Sequence, residues 1–154
     1  MITENHEYYV SLEVAKLLKE AGIDWELNSR WQDWGGKNPH EFILKTDLLY
    51  ADGPAEYDGF HALPAPTLSV AQRWLREVKG IYVESVLCVN RGTSGHSFGF
   101  SIAEVNADLS IVKILYPLTY FDEEETKGFK KYELSLETGV KKALELILEK
   151  GKKK

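Results

Sequence analysis

The 154-residue sequence contains one cysteine, one methionine and four scattered histidines. A lone Cys88 excludes an internal disulfide and a cysteine-rich zinc site. It also favours a reducing, cytoplasmic setting. None of His6, His40, His61 and His96 stands four residues from another, so the helical histidine pair of the zinc proteases is absent. No apolar run approaches roughly 18 residues, which leaves nothing to span a bilayer as a helix. Positive charge is also short, with 19 Lys and Arg against 24 Asp and Glu, a formal net charge of −5. Such a chain is repelled by phosphate backbones, so nucleic acid is a disfavoured partner except at a local basic face. Residues 1–7 are polar and acidic, with neither the basic nor the apolar region of a secretion signal, and predict none.

What is there is globular in character: 44% apolar, 12% aromatic and 28% charged residues. The length fits a single domain over residues 1–154, with a frayed basic tail at 150–154. By surface scaling such a chain buries about two-thirds of the area its unfolded form exposes, which supports one core without staples.

Three stretches have helical periodicity. Residues 12–21 follow Ser11 as N-cap and stop at Gly22, with Val14, Leu17, Leu18 and Ala21 on one face. Residues 68–79 follow Pro66 and Thr67 and stop at Gly80. There Leu68, Val70, Ala71, Trp74, Leu75 and Val78 form an apolar arc of about 160°, at about 100° per residue. Ser135 is the expected N-cap of a last helix, with Val140, Ala143, Leu144, Ile147 and Leu148 at packing intervals.

Between the last two helices lie three strand-like runs joined by short turns: residues 81–90, 96–105 and 109–116. In the first, Ile81, Val83, Leu87 and Val89 alternate with Tyr82, Glu84, Val86 and Cys88. In the second, Phe98, Phe100 and Ile102 share a face. Short turns predict an antiparallel meander. Residues 41–50 read as a further strand, residues 30–40 as loop, and residues 52–66, with their prolines and glycines, as a long loop. Residues 122–133 are charged and expected at the surface. The order is α-β-α-β-β-β-α, an α+β class with a three-stranded or larger antiparallel sheet and about three helices packed on it.

No catalytic constellation is assembled in this pattern. Asp52, Glu56, Asp58 and His61 lie within ten residues and could hold a hard cation, but their spacing matches no calcium loop. A solvated acidic loop is the simpler reading. Residues 91–96, RGTSGH, resemble a phosphate-cradling loop superficially. The strand that follows them, where a helix is needed, makes a hairpin turn the better reading. Ser94 beside His96 lacks the strand-turn-helix elbow of a hydrolase. Cys88 has no sequence neighbour to activate it. The aromatic residues Trp25, Trp31, Trp34, Tyr50 and Tyr57 either close the core or present rigid anchors to a partner.

Ala65-Pro66-Thr67, then Trp74-Leu75-Arg76-Glu77, then Gly80-Ile81, resembles a motif of a family of small uncharacterised proteins carried by phages and mobile elements of gut Bacteroidetes. A short helix such as residues 10–22 and an amphipathic closing helix such as residues 139–148 resemble that family's ends. The resemblance implies a compact α+β fold and a mobile-element context. It carries no activity and no cofactor, and residues 31–39 depart from its pattern.

The expectation is a cytoplasmic, non-catalytic protein-interaction module without cofactor or metal, binding through Trp31, Trp34, Tyr57 and His61. Two alternatives compete with it. One is a nucleic-acid binder, because residues 68–148 run α-β-β-β-α like a double-stranded-RNA-binding domain, though without that fold's Gly-Pro-x-His loop. The other is a metal-dependent enzyme using residues 52–61.

Overall fold

The structure, a computed structural model, describes residues 8–33, 42–46, 62–89, 96–108, 110–119 and 131–152. Among these the order is α1 (Leu12–Ala21), β1 (Arg30–Asp33), β2 (Phe42–Lys45), β3 (Ala62–Pro64), α2 (Leu68–Lys79), β4 (Ile81–Val89), β5 (His96–Val105), β6 (Ile111–Thr119) and α3 (Tyr132–Lys152). The α+β class and the α-β-α-β-β-β-α order are as the sequence predicts, with two extra strands. The chain divides into two compact units, Met1–Ser69 with Leu144–Lys154, and Val70–Ala143.

In the first unit, α1 starts where Ser11 accepts a hydrogen bond from the Val14 N–H at 3.3 Å. It ends where Gly22 adopts φ 91° and donates its N–H to the Leu18 and Lys19 carbonyls. A left-handed residue closes a helix in this way at little cost only when it has no Cβ. Val14, Ala15 and Leu18 are buried, while Leu17 and Ala21 are half-buried.

The strands of this unit form an antiparallel sheet in the order β2-β1-β3. Here the sequence reading is corrected: Arg30–Asp33, expected in a loop, is the central strand. Its four residues lack apolar alternation, and pairing on both edges, Trp31 opposite Leu44 and Leu63, is what makes them a strand. Ala62–Pro64, placed in the long loop by its proline, is a strand on the outside of the sheet, where a missing N–H is tolerated. The expected strand at 41–50 is seen as Phe42–Lys45; residues 47–50 lie outside the described residues. The chain around β3 is tied down by the Val10 N–H to the Pro66 carbonyl at 3.0 Å. The buried Ser29 hydroxyl donates to the Ala65 carbonyl.

In the second unit, β4, β5 and β6 form the expected meander. The register sets Val83 opposite Ile102 and Ser85 opposite Phe100. These four side chains are buried on one face. The second helix matches its predicted bounds, 68–79, but Val70 is half-buried and Val78 exposed, so its buried stripe is narrower than the apolar arc. Gln72 donates to the Val83 carbonyl at 2.6 Å, which places α2 beside β4. At its end Gly80 takes φ 67°, and a Cβ there would stand 3.1 Å from the Val105 carbonyl oxygen.

The last helix starts at Tyr132, four residues earlier than an N-cap at Ser135 predicts. Ser135 is not its N-cap but a fully buried residue within it. Tyr132 opens the helix, with its ring edge-on to Phe98 at 5.9 Å and its carbonyl accepting from the Ser85 hydroxyl at 3.2 Å. These contacts anchor the first turn on the sheet. At Gly139 a Cβ would stand 2.7 Å from Val83 Cγ1 and 3.2 Å from the Phe100 ring, so α3 lies on the Val83 face.

Candidate functional site

With α3 on the Val83 face, the alternation of β4 sends Tyr82 and Glu84 to the opposite face. Register brings Ala103 opposite Tyr82 and Ser101 opposite Glu84. On the other side of β5, Ala103 pairs with Ile114 and Val105 with Ile111. These seven residues line an open apolar groove of about 310 Å³. Its apolar lining is aliphatic, from Ala103, Val105, Ile111 and Ile114, and its polar residues are Tyr82, Ser101 and Glu84.

The side chains of β6 beside the groove are unusually exposed for large aliphatic residues. Ile111, Val112 and Ile114 are 64%, 62% and 55% exposed. The cause is local: β5 and β6 shift register between Ile102 and Ala103 and again between Glu104 and Val105. Such bulges break strict alternation and re-aim side chains, so β6 turns aliphatic groups outward instead of hiding them on one face.

Glu84 is exposed, and among the described residues its carboxylate has no hydrogen-bond or ion-pair partner. The Arg76 guanidinium lies over the Tyr82 ring, 6.0 Å from its centroid. Elsewhere in this unit the sheet edge turns at Asn106 and Ser110. There the Ser110 hydroxyl, and then its N–H at 2.9 Å, hold the exposed Asp108 carboxyl below the usual carboxylate range.

Of the residues singled out by sequence, Trp31 lies in β1 of the first unit. It is half-buried, and its indole N–H donates to the Val10 carbonyl at 2.9 Å. That bond gives the ring a structural task. Trp34, Tyr57 and His61 lie outside the described residues, as do Asp52, Glu56, Asp58 and Ser94. Among the described residues, no three His, Cys, Asp or Glu side chains gather as a metal set. No helix among them is long and apolar enough to cross a membrane.

The groove was missed by sequence reading, yet a signal for it was present. Residues 111–116, IVKILY, are apolar at both odd and even positions, so no choice of face for that strand could bury them all. Comparison of the chain with family models, with curated proteins and with solved structures gives no match.

Proposed function

We propose that this chain is a non-catalytic protein-interaction module that docks its partner on the open face of the β4-β5-β6 sheet. One observation carries this reading: three large aliphatic side chains within four residues of an outer strand stand more than half exposed beside an apolar groove. Single exposed aliphatic residues are ordinary, whereas a contiguous apolar patch with polar groups at its edge is the usual mark of a contact surface. A phage or mobile-element setting and a cytoplasmic location belong to the same proposal. The first rests on the resemblance through Ala65, Trp74 and Gly80, the second on the lone Cys88.

The test compares wild type with Ile111→Ser/Ile114→Ser, after circular dichroism shows equal folding. Both changes are at exposed positions and should cost little stability. Proteins retained by each form from host lysate are quantified, and a protein lost with the variant is purified and titrated. A partner whose binding weakens at least tenfold in the variant supports the reading. Equal retention of every protein by both forms sinks it.

A further inference from the structure

We infer that the groove selects a partner segment presenting a lysine or arginine side chain between apolar residues, with Glu84 receiving the cation. This deepens the interaction reading and rests on it. Four observations bear on the choice of occupant.

The first is charge. Among the described residues Glu84 is the one acidic or basic side chain in the lining, and it has no partner there. An apolar ligand alone would partly desolvate that carboxylate without compensation, and an acidic one would be repelled. A cation at the end of an aliphatic stem satisfies both parts of the groove, its stem on Ile111 and Ile114 and its head at Glu84. The chain's net charge of −5 adds long-range attraction of the same sign.

The second is size. A volume of about 310 Å³ is at the small end for ligand sites and suits one long side chain with part of a neighbour. The third is the position of Arg76. It already occupies the face of the Tyr82 ring, so an incoming cation is directed to the carboxylate, away from the ring.

The fourth observation separates docking by side chains from addition of a strand. The outer edge of β6 carries Lys113 and Pro117, and its pairing with β5 is irregular. Lysine, proline and bulges are the features that block edge-to-edge pairing. The accessible apolar area therefore works through the face of the sheet, where the groove lies.

The test uses full-length protein and three capped tripeptides: Leu-Lys-Leu, its neutral isostere with norleucine in the middle, and Leu-Glu-Leu. Binding is followed by NMR of the Ala103, Val105, Ile111 and Ile114 methyl groups. At low salt the lysine peptide should bind about two- to fivefold more tightly than the norleucine peptide, as an exposed ion pair allows, and the glutamate peptide most weakly. Glu84→Gln, at an exposed site, should abolish the difference between lysine and norleucine while methyl shifts persist. High salt should reduce it in wild type.

Equal affinity of the lysine and norleucine peptides for wild type would overturn the charge selection. An undiminished preference in Glu84→Gln would do the same. Absence of shifts at the groove methyls with every peptide would overturn the site. Failure of the interaction reading itself would show in the Ile111→Ser/Ile114→Ser comparison, which does not depend on charge.

Discussion

Ser135→Ala should make the protein more stable, although it removes a polar group from a helix packed on the sheet. Ser135 is fully buried, and among the described residues its Oγ meets no donor or acceptor. Its backbone is satisfied, with the N–H on the Lys131 carbonyl at 3.2 Å. Three residues on, Thr138 shows the usual alternative, its hydroxyl donating to the Leu134 carbonyl at 2.8 Å. A buried hydroxyl without a partner costs about 1–3 kcal/mol, and alanine's better helix propensity adds about 0.5 kcal/mol. Against this stands the loss of one oxygen's dispersion contacts, about 0.1–0.2 kcal/mol each and about 1 kcal/mol together. The net expectation is a gain of about 1–2 kcal/mol. With a urea m-value of about 2 kcal/mol/M, the unfolding midpoint should rise by about 0.5–1 M at unchanged slope. If the two compact units unfold separately, only the transition of Val70–Ala143 should move. A midpoint lowered by Ser135→Ala would refute the reasoning, because it would mean that the hydroxyl is held by a hydrogen bond worth more than its burial costs.

Gly139→Ala should destabilise by about 1 kcal/mol or more, because overpacking against Val83 and Phe100 exceeds the helix-propensity gain. Adding Val83→Ala should recover part of that loss, measured as a coupling energy in a double-mutant cycle. Trp31→Phe should lower the unfolding free energy, measured by urea denaturation, by about 1 kcal/mol or more, since it deprives the buried Val10 carbonyl of its 2.9 Å donor. The Asp108 carboxyl should titrate below the ordinary aspartate value in a carbon-detected NMR titration, and Ser110→Ala should move it upward but not fully, since the Ser110 N–H remains. The sign follows from linkage: the folded state holds this proton less tightly than the unfolded state. Its contribution to stability is therefore present above the unfolded pKa and fades as pH falls through the folded one.

Local signals were the readable ones. Ser11, Gly22 and Gly80 act through backbone geometry within a few residues, so the bounds of α1 and α2 could be read from the chain alone. The β4-β5-β6 meander was readable because its strands are long and few residues separate them in sequence. What failed depended on distant partners. The first strand has no apolar alternation of its own and exists through pairing with Leu44 and Leu63. The start of α3 is moved from Ser135 to Tyr132 by contacts with Phe98 and Ser85, more than thirty residues away. The role of Trp31 in the candidate site could not be read from the sequence for the same reason. Trp31 was legible as an aromatic residue, but whether its indole would meet Val10 or a partner is decided by a contact 21 residues away.

The groove itself follows from a conflict between two patterns in neighbouring strands. Tyr82, Val83, Glu84 and Ser85 alternate in a way that one covered face can satisfy, and α3 covers it. Ile111, Val112 and Ile114 do not alternate, so one covered face must leave some of them in water. A sequence under selection for solubility alone would place polar residues there, as it does at Asn106, Asp108 and Ser110 just before. The aliphatic residues on the strand, with Glu84 across the groove from them, stand largely in water and contribute little to the core. Their presence makes physical sense if a second surface covers them, and that is the link from the sequence of β6 to the interaction reading.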